Sequence, residues 1–378
     1  MTNLSTTAST PFRSLADFGA DWLVTPGDTI SELLEDRGWT QAEFARRVGF
    51  TEKHVTQLLK GHGSITQETA LRLEKVLGST ARFWLGLEAQ YGEQLARRTE
   101  SAALAGDVDW LKEIPLSHML KYGWVTRCAD RAAQVAECLK FFAVSSVDTW
   151  RATCQQPVAA YRAAAKLTRT PAIVATWLRR AESEAQKIPI ASFDRAKFQD
   201  ALREVRALTR VRDPGVFVPQ LKSQCASAGV AVVLVPAPAG CPVSGAAKWI
   251  GSQRGLIVLS LRGKSDDKLW FSFFHEAAHL LKHGKSLTFL DILGDDGLDP
   301  EAEAEADAFA RETLISSASY QAFISAAPSP SATAVTRFAT QQGISPGIVV
   351  GRLQFDRVIP FSYLNHLKVS YSWTERAE

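Results

Sequence analysis

The sequence predicts a mainly α fold with a small β-sheet, distributed over more than one folded region. Three observations predict it. Residues 25–91 carry apolar side chains at helical spacing, broken at Gly38, Gly49 and Gly61. Residues 110–212 show helical patterning alone, as in RAAQVAECLKFFA and FDRAKFQDALREVRALTR. From Gly229 onward the pattern changes to short apolar runs, VAVVLV, SGAAKWI and LIVLSL, separated by Gly or Pro turns and followed by further helices. At 378 residues the chain is long for one domain. The expected division is a flexible Ser/Thr-rich arm at 1–22, a helical domain at 23–98, a linker and helical connector at 99–190, and an α+β domain at 191–378.

Composition narrows the functional classes. With 46% hydrophobic and 22% charged residues the chain can build cores and does not read as disordered. A net charge of +3 is slight for this length, so any nucleic-acid contact has to be local. The five cysteines are odd in number, widely spaced and contain no CxxC pair, which suits reduced thiols and excludes a zinc ribbon. The first residues lack the basic start and apolar run of a signal peptide, and the longest apolar stretch is far too short to cross a bilayer. A cytoplasmic protein without a membrane partner is expected.

In the helical domain, Asp28 to Arg37 places Ile30, Leu33 and Leu34 on one face. Thr40 caps QAEFARRV, Thr51 caps EKHVTQLLK, and helices at about 66–77 and 81–91 follow, with Leu71, Leu73, Val76, Phe83, Trp84 and Leu87 as core candidates. Five short helices result. A helix, a three-residue turn and a second helix is the geometry that lays the second helix in a major groove. On that helix Val55, Leu58 and Leu59 face inward. Thr51, Lys53, His54, Thr56, Gln57 and Lys60 are then the candidate contacts to base edges and phosphates, with Gln41 placed for a phosphate. A helical bundle with a polar face is the alternative, since the pattern is degenerate.

Pro26-Gly27, Thr40-Gln41, Phe44-Ala45, Gly49, Gly61, Ile65-Thr66, Thr69-Ala70, Leu77-Gly78 and Phe83-Trp84-Leu85 are landmarks by which about 70 residues resemble the Xre-type, HigA-like antitoxin and repressor family. The resemblance implies a five-helix, Cro/repressor-like helix-turn-helix domain that binds a palindromic double-stranded DNA operator as a homodimer. The segment TESAALAGD after Arg98 reads as a linker, and the connector that follows carries no recognisable chemistry.

The α+β domain holds the stretch FFHEAAHLLKHG. It belongs to a long helix for which Ser265 is a good N-cap, Asp266 and Asp267 suit the positive start, and Gly284 suits the exit. His275 and His279 lie one turn apart and project the same way, the spacing at which two neutral histidines can share a tetrahedral zinc ion. Glu276 sits one step round, suited to a general base rather than a ligand. The next helix, which Asp299 caps and Pro300 opens, runs on as EAEAEADAFARETLI and offers Glu303, with Asp307 one turn further to brace a histidine. Glu301 and Glu305 are rivals for the ligand role, and an acidic solvated face is the alternative.

FHEAAHLLKHG followed by EAEADAFARETLI resembles the ImmA/IrrE metallopeptidase family, whose pattern is HExGH, then a Glu followed after two residues by Ala-Asn, then Phe-Ala. The likeness extends over roughly residues 190–375. It implies a gluzincin-like α+β fold, a Zn2+ cofactor held by His275, His279 and Glu303, and Glu276 as the base of peptide hydrolysis, with Asp307 behind a ligand. Ala278, Asp307 and Ser316 depart from the family pattern without removing a ligand. The implied partner is a repressor or antitoxin-like protein substrate. The alternative is a HigA-like repressor whose zinc half senses or scaffolds and cleaves nothing. Tyr320, Tyr363 and His366 are candidate oxyanion partners, His283 is expected to cap the helix or support a ligand, and LIVLSL is a possible edge strand for an extended substrate.

Overall fold

The computed structural model describes residues 24–154, 170–283, 289–292 and 300–373. The chain forms two compact units, Met1–Gly106 and Asp107–Glu378. In the first, α1 (Pro26–Asp36), α2 (Gln41–Val48), α3 (Glu52–Leu59) and α4 (Gln67–Leu77) each begin at a threonine, Thr25, Thr40, Thr51 and Thr66. Each hydroxyl accepts the backbone N–H three residues on, and such a cap is worth about 1 kcal/mol. At Thr25 the cap is reciprocal, because Asp28 accepts from the Thr25 N–H at 2.7 Å. Ile30, Leu34, Phe44, Val55, Leu58, Leu73 and Trp84 meet in one core. Gly27 lets α1 touch α3: a Cβ there would lie 2.3 Å from the Leu59 carbonyl oxygen.

The helix α5 differs from expectation. It runs unbroken over Ala81–Gly106, so the segment expected to be a linker after Arg98 is helical and the unit boundary falls at Gly106. The small residues of TESAALAG are good enough helix formers to continue an established helix, and no proline or capping glycine stops it. Leu71 and Phe83, expected in the core, are exposed, because Leu73 and Trp84 fill that side.

In the second unit the connector does not stand apart. A 3-10 turn (Val108–Lys112), α6 (Leu116–Lys121), α7 (Arg131–Phe142) and α8 (Val147–Cys154) gather around Trp110, Phe142 and Trp150, whose rings pack edge to face at 5.2 to 5.9 Å. Then α9 (Thr170–Ala185) packs on the sheet, where the Trp177 indole donates to the Val235 carbonyl at 3.0 Å. After α10 (Arg195–Leu208) and α11 (Pro214–Ser227) come β1 (Val230–Leu234), β2 (Val243–Ile250), β3 (Arg254–Leu259) and β4 (Phe289–Ile292). Their order is β1-β3-β2-β4: β1 and β3 are parallel, and β2 is antiparallel to both β3 and β4. LIVLSL, expected as an edge, therefore supplies an interior strand buried from Gly255 to Leu259. Among the described strands the edges are β1 and β4.

Across the sheet lies α12 (Asp266–Lys282), with α13 (Pro300–Leu314) and α16 (Pro346–Phe355) beside it and α14 (Ser317–Ala326) and α15 (Ala332–Gln342) beyond. Leu269, Trp270, Phe273, Phe274 and Ala277 are buried in the same core as Val232, Ile257 and Val349. The expected Ser265 cap is absent as a side-chain bond; Ser265 instead bridges to Ser370 through its backbone. Asp266 secures the helix start by accepting from the Ser345 hydroxyl at 2.5 Å and from the Val369 N–H at 3.0 Å, and Asp267 pairs with Lys368 at 2.7 Å. The Gly284 exit and the Asp299 cap lie outside the described residues.

Candidate metal centre and helix-turn-helix surface

The buried centre of α12 carries the histidine pair, His275 at 4% exposure and His279 at 1%. Their Nε2 atoms are 3.0 Å apart. From α13, the carboxylate of Glu303 reaches both, with one oxygen 3.1 Å from His275 Nε2 and the other 3.6 Å from His279 Nε2. Among the described residues these three form a group able to hold a metal ion, their ligand atoms all within 4.8 Å. The rivals separate by position: Glu301 is exposed, and Glu305 turns outward to Lys282 at 2.7 Å and His283 at 3.2 Å.

The surrounding hydrogen bonds decide the tautomers. Asp307 lies 3.1 Å from His275 Nδ1, and a carboxylate only accepts, so a neutral His275 carries its proton on Nδ1 and turns a lone pair on Nε2 toward Glu303. His283 is likewise held through Nε2 by Glu305, which leaves its Nδ1 to accept from His279 Nδ1 at 3.0 Å. His279 therefore also presents an Nε2 lone pair. Two lone pairs 3.0 Å apart beside a carboxylate repel one another unless a cation lies between them. Two imidazoles bound tetrahedrally at about 2.05 Å would place their nitrogens roughly 3.3 Å apart, so the donor set fits zinc in type, number and spacing. Burial depresses the pKa of His279, favouring the neutral form a metal requires. Burial pushes the Glu303 carboxyl up, but in the metal-free centre, once the two imidazoles are protonated, their Nε2–H hydrogen bonds and charge outweigh it and hold it at about 2.

Glu276 is fully buried, and its carboxylate lies against β2. A Cβ at Gly245 would stand 2.5 Å from Glu276 Oε1, beside the register shift between Val243 and Gly245. Sequence reasoning passed over Gly245, although an isolated glycine within a strand signals close approach. It also passed over Arg311, which donates to Asp307 at 2.5 Å and anchors the carboxylate behind His275. Of the oxyanion candidates, Tyr320 is buried beneath Arg352, whereas Tyr363 and His366 are exposed.

On the helix-turn-helix surface the expected contacts divide. Gln41, Lys53, Gln57 and Lys60 are exposed. Thr51 is exposed but serves as the α3 cap. Thr56 donates its hydroxyl back to the Glu52 carbonyl at 2.9 Å. His54 is half-buried with its ring edge-on to Phe50 at 4.5 Å, and its Nε2 is buried, so it packs between helices rather than presenting to solvent. The helical count put it outside; the ring of Phe50, in the turn before α3, covers it.

Comparison with known proteins agrees on this unit. The helix-turn-helix family matches residues 30–84. An uncharacterized HTH-type transcriptional regulator, YddM of Escherichia coli (strain K12), is 34% identical over 74 residues, which are 20% of this chain and 79% of that protein. This chain belongs to the helix-turn-helix family. An addiction module antidote protein of a HigA family from Coxiella burnetii is 31% identical over 22% of this chain and 91% of its own, with a TM-score of 0.21. The matched residues run from within α1 to the start of α5, the stretch that carries Gln41, Lys53, Gln57 and Lys60. No helix among the described residues is long and apolar enough to cross a membrane.

Proposed function

We propose that this protein is a DNA-binding transcriptional regulator carrying a zinc-dependent endopeptidase, which cleaves a repressor or antitoxin-like protein partner. The observation that carries the peptidase half is the convergence of His275, His279 and Glu303, with Glu276 one residue from the first histidine. Three ligands with a buried carboxylate alongside suit a catalytic centre, because a structural zinc site normally supplies four protein ligands and has no use for a base. Zinc bound there supplies Lewis acidity and lowers the pKa of water toward neutrality.

The chain's own residues then have distinct tasks. Asp307 and the His283–Glu305 pair hold the two histidines as Nε2 donors. Glu303 brings the negative charge. Glu276, held against Gly245, is the group to take a proton from the attacking water and return it to the leaving amine. For the first unit, Lys53 and Gln57 on α3 and Lys60 at its C-terminal cap meet the major groove, with Gln41 on a phosphate, as a homodimer on an operator.

The test is incubation of the zinc-loaded full-length protein with proteins encoded beside it. A fragment that appears with wild type and not with Glu276→Ala supports the reading. Full zinc occupancy with no fragment from any neighbour would instead favour a repressor whose metal half is a scaffold.

A further inference from the structure

A cavity of about 550 Å3 opens at the N-terminal end of α12, distinct from the histidine cluster. Leu259, Leu269, Phe271, Leu314 and Ile348 contribute apolar wall, and its lining includes two exposed aromatics, Phe355 at 61% and Phe361 at 71%. Pockets of this size and character hold small molecules. Two polar features give the occupant its chemistry. Arg262, Lys264 and Lys268 lie on its lining and are exposed, and among the described residues none of them has an ion-pair partner. Asp267 also lines it, is 8% exposed, and spends Oδ2 on Lys368, while its Oδ1 is buried with no hydrogen-bond partner. A buried acceptor left without a donor is costly, and a ligand that supplies a donor recovers part of that cost. The loop that carries the cations holds Leu261 and Lys264 in left-handed conformations, φ 56 and 53, conformations that collect at ligand sites.

We propose that this cavity binds a small amphiphile: an apolar chain or ring, one anionic group, and one hydroxyl or amide N–H. The chain lies along Leu259, Leu269 and Ile348, the anion meets Arg262, Lys264 and Lys268, and the donor meets Asp267 Oδ1. A further wall residue, Arg311, holds Asp307, which holds His275, so occupancy bears on the position of that histidine.

Calorimetric titration of the full-length protein with β-hydroxydecanoate, decanoate and decanol, all below their micelle concentrations, tests this. β-Hydroxydecanoate is expected to bind at one site, decanoate about threefold or more weakly for want of the donor, and decanol about tenfold or more weakly for want of the charge. Lys264→Gln with Lys268→Gln, at exposed positions, should weaken both acids and leave decanol unchanged. In Asp267→Asn, Lys368 orients the amide oxygen toward itself and leaves an N–H where Oδ1 was, so the preference for the hydroxyl should vanish. Should that variant not fold, the lysine variant and the decanol comparison still decide. No binding of either acid at millimolar concentration, acids binding no better than decanol, or an unaltered lysine variant each overturns the proposal.

Discussion

His275 Nδ1 and Asp307 Oδ1 lie 3.1 Å apart, across two helices separated by 32 positions in the chain. The contact fixes the ring plane and tautomer of His275, and Arg311 on the other Asp307 oxygen keeps the carboxylate from swinging away. A bracing carboxylate of this kind typically contributes 10- to 100-fold in metal affinity. Asp307→Ala is therefore expected to bind zinc about 10- to 100-fold more weakly, measured by chelator competition, while Asp307→Asn falls between it and wild type.

Removing the proposed ligand and removing the proposed base should give opposite results. Glu303→Ala is expected to lose zinc, whereas Glu276→Ala should retain it at full stoichiometry and lose cleavage. Elemental analysis of both purified variants checks this, and full zinc in Glu303→Ala would remove Glu303 from the ligand set.

Gly245 tests the position of the proposed base from a different element. Alanine there brings a Cβ to within 2.5 Å of Glu276 Oε1, so the carboxylate or the bulge of β2 must shift. Gly245→Ala should keep its metal and its helical circular dichroism yet lose at least tenfold in cleavage, in line with the contribution of general base catalysis. Unchanged cleavage would mean that Glu276 is free to move without consequence.

The metal-free protein should show the acid linkage of Glu303. Its folded pKa of about 2, set by the protonated His275 and His279 beside it, lies below the ordinary 4.5, so the native state holds the charged form more firmly than the unfolded chain does. The stabilisation is complete above pH 4.5 and is lost as pH falls toward about 2. Urea midpoints of metal-free wild type and Glu303→Gln, compared across that window, should converge as pH drops.

For the first unit, Lys53→Ala with Gln57→Ala should weaken operator binding in a mobility-shift assay and lower the salt slope of the dimer by about two, one for each protomer's lysine, without changing metal content. His54→Ala should act differently. It removes a ring packed on Phe50, so it should lower the melting temperature more than it lowers affinity per folded molecule.

What the sequence by itself determined was local. The Thr40 and Thr51 caps, the apolar faces of α1 to α3, and the spacing of His275 and His279 one turn apart all follow from interactions within a few residues, and each stands where it was read. Glu303 was legible as one of three acids on α13, since helical spacing limited the choice without making it. The tertiary structure decided the rest, because those choices depend on which elements meet. It turned Glu303 inward and Glu305 outward to Lys282, placed Gly245 against Glu276, and buried LIVLSL between two strands rather than at an edge. It also covered His54 with Phe50 and carried α5 through the expected linker. Helical periodicity tells which side chains share a face. Only packing tells what that face meets.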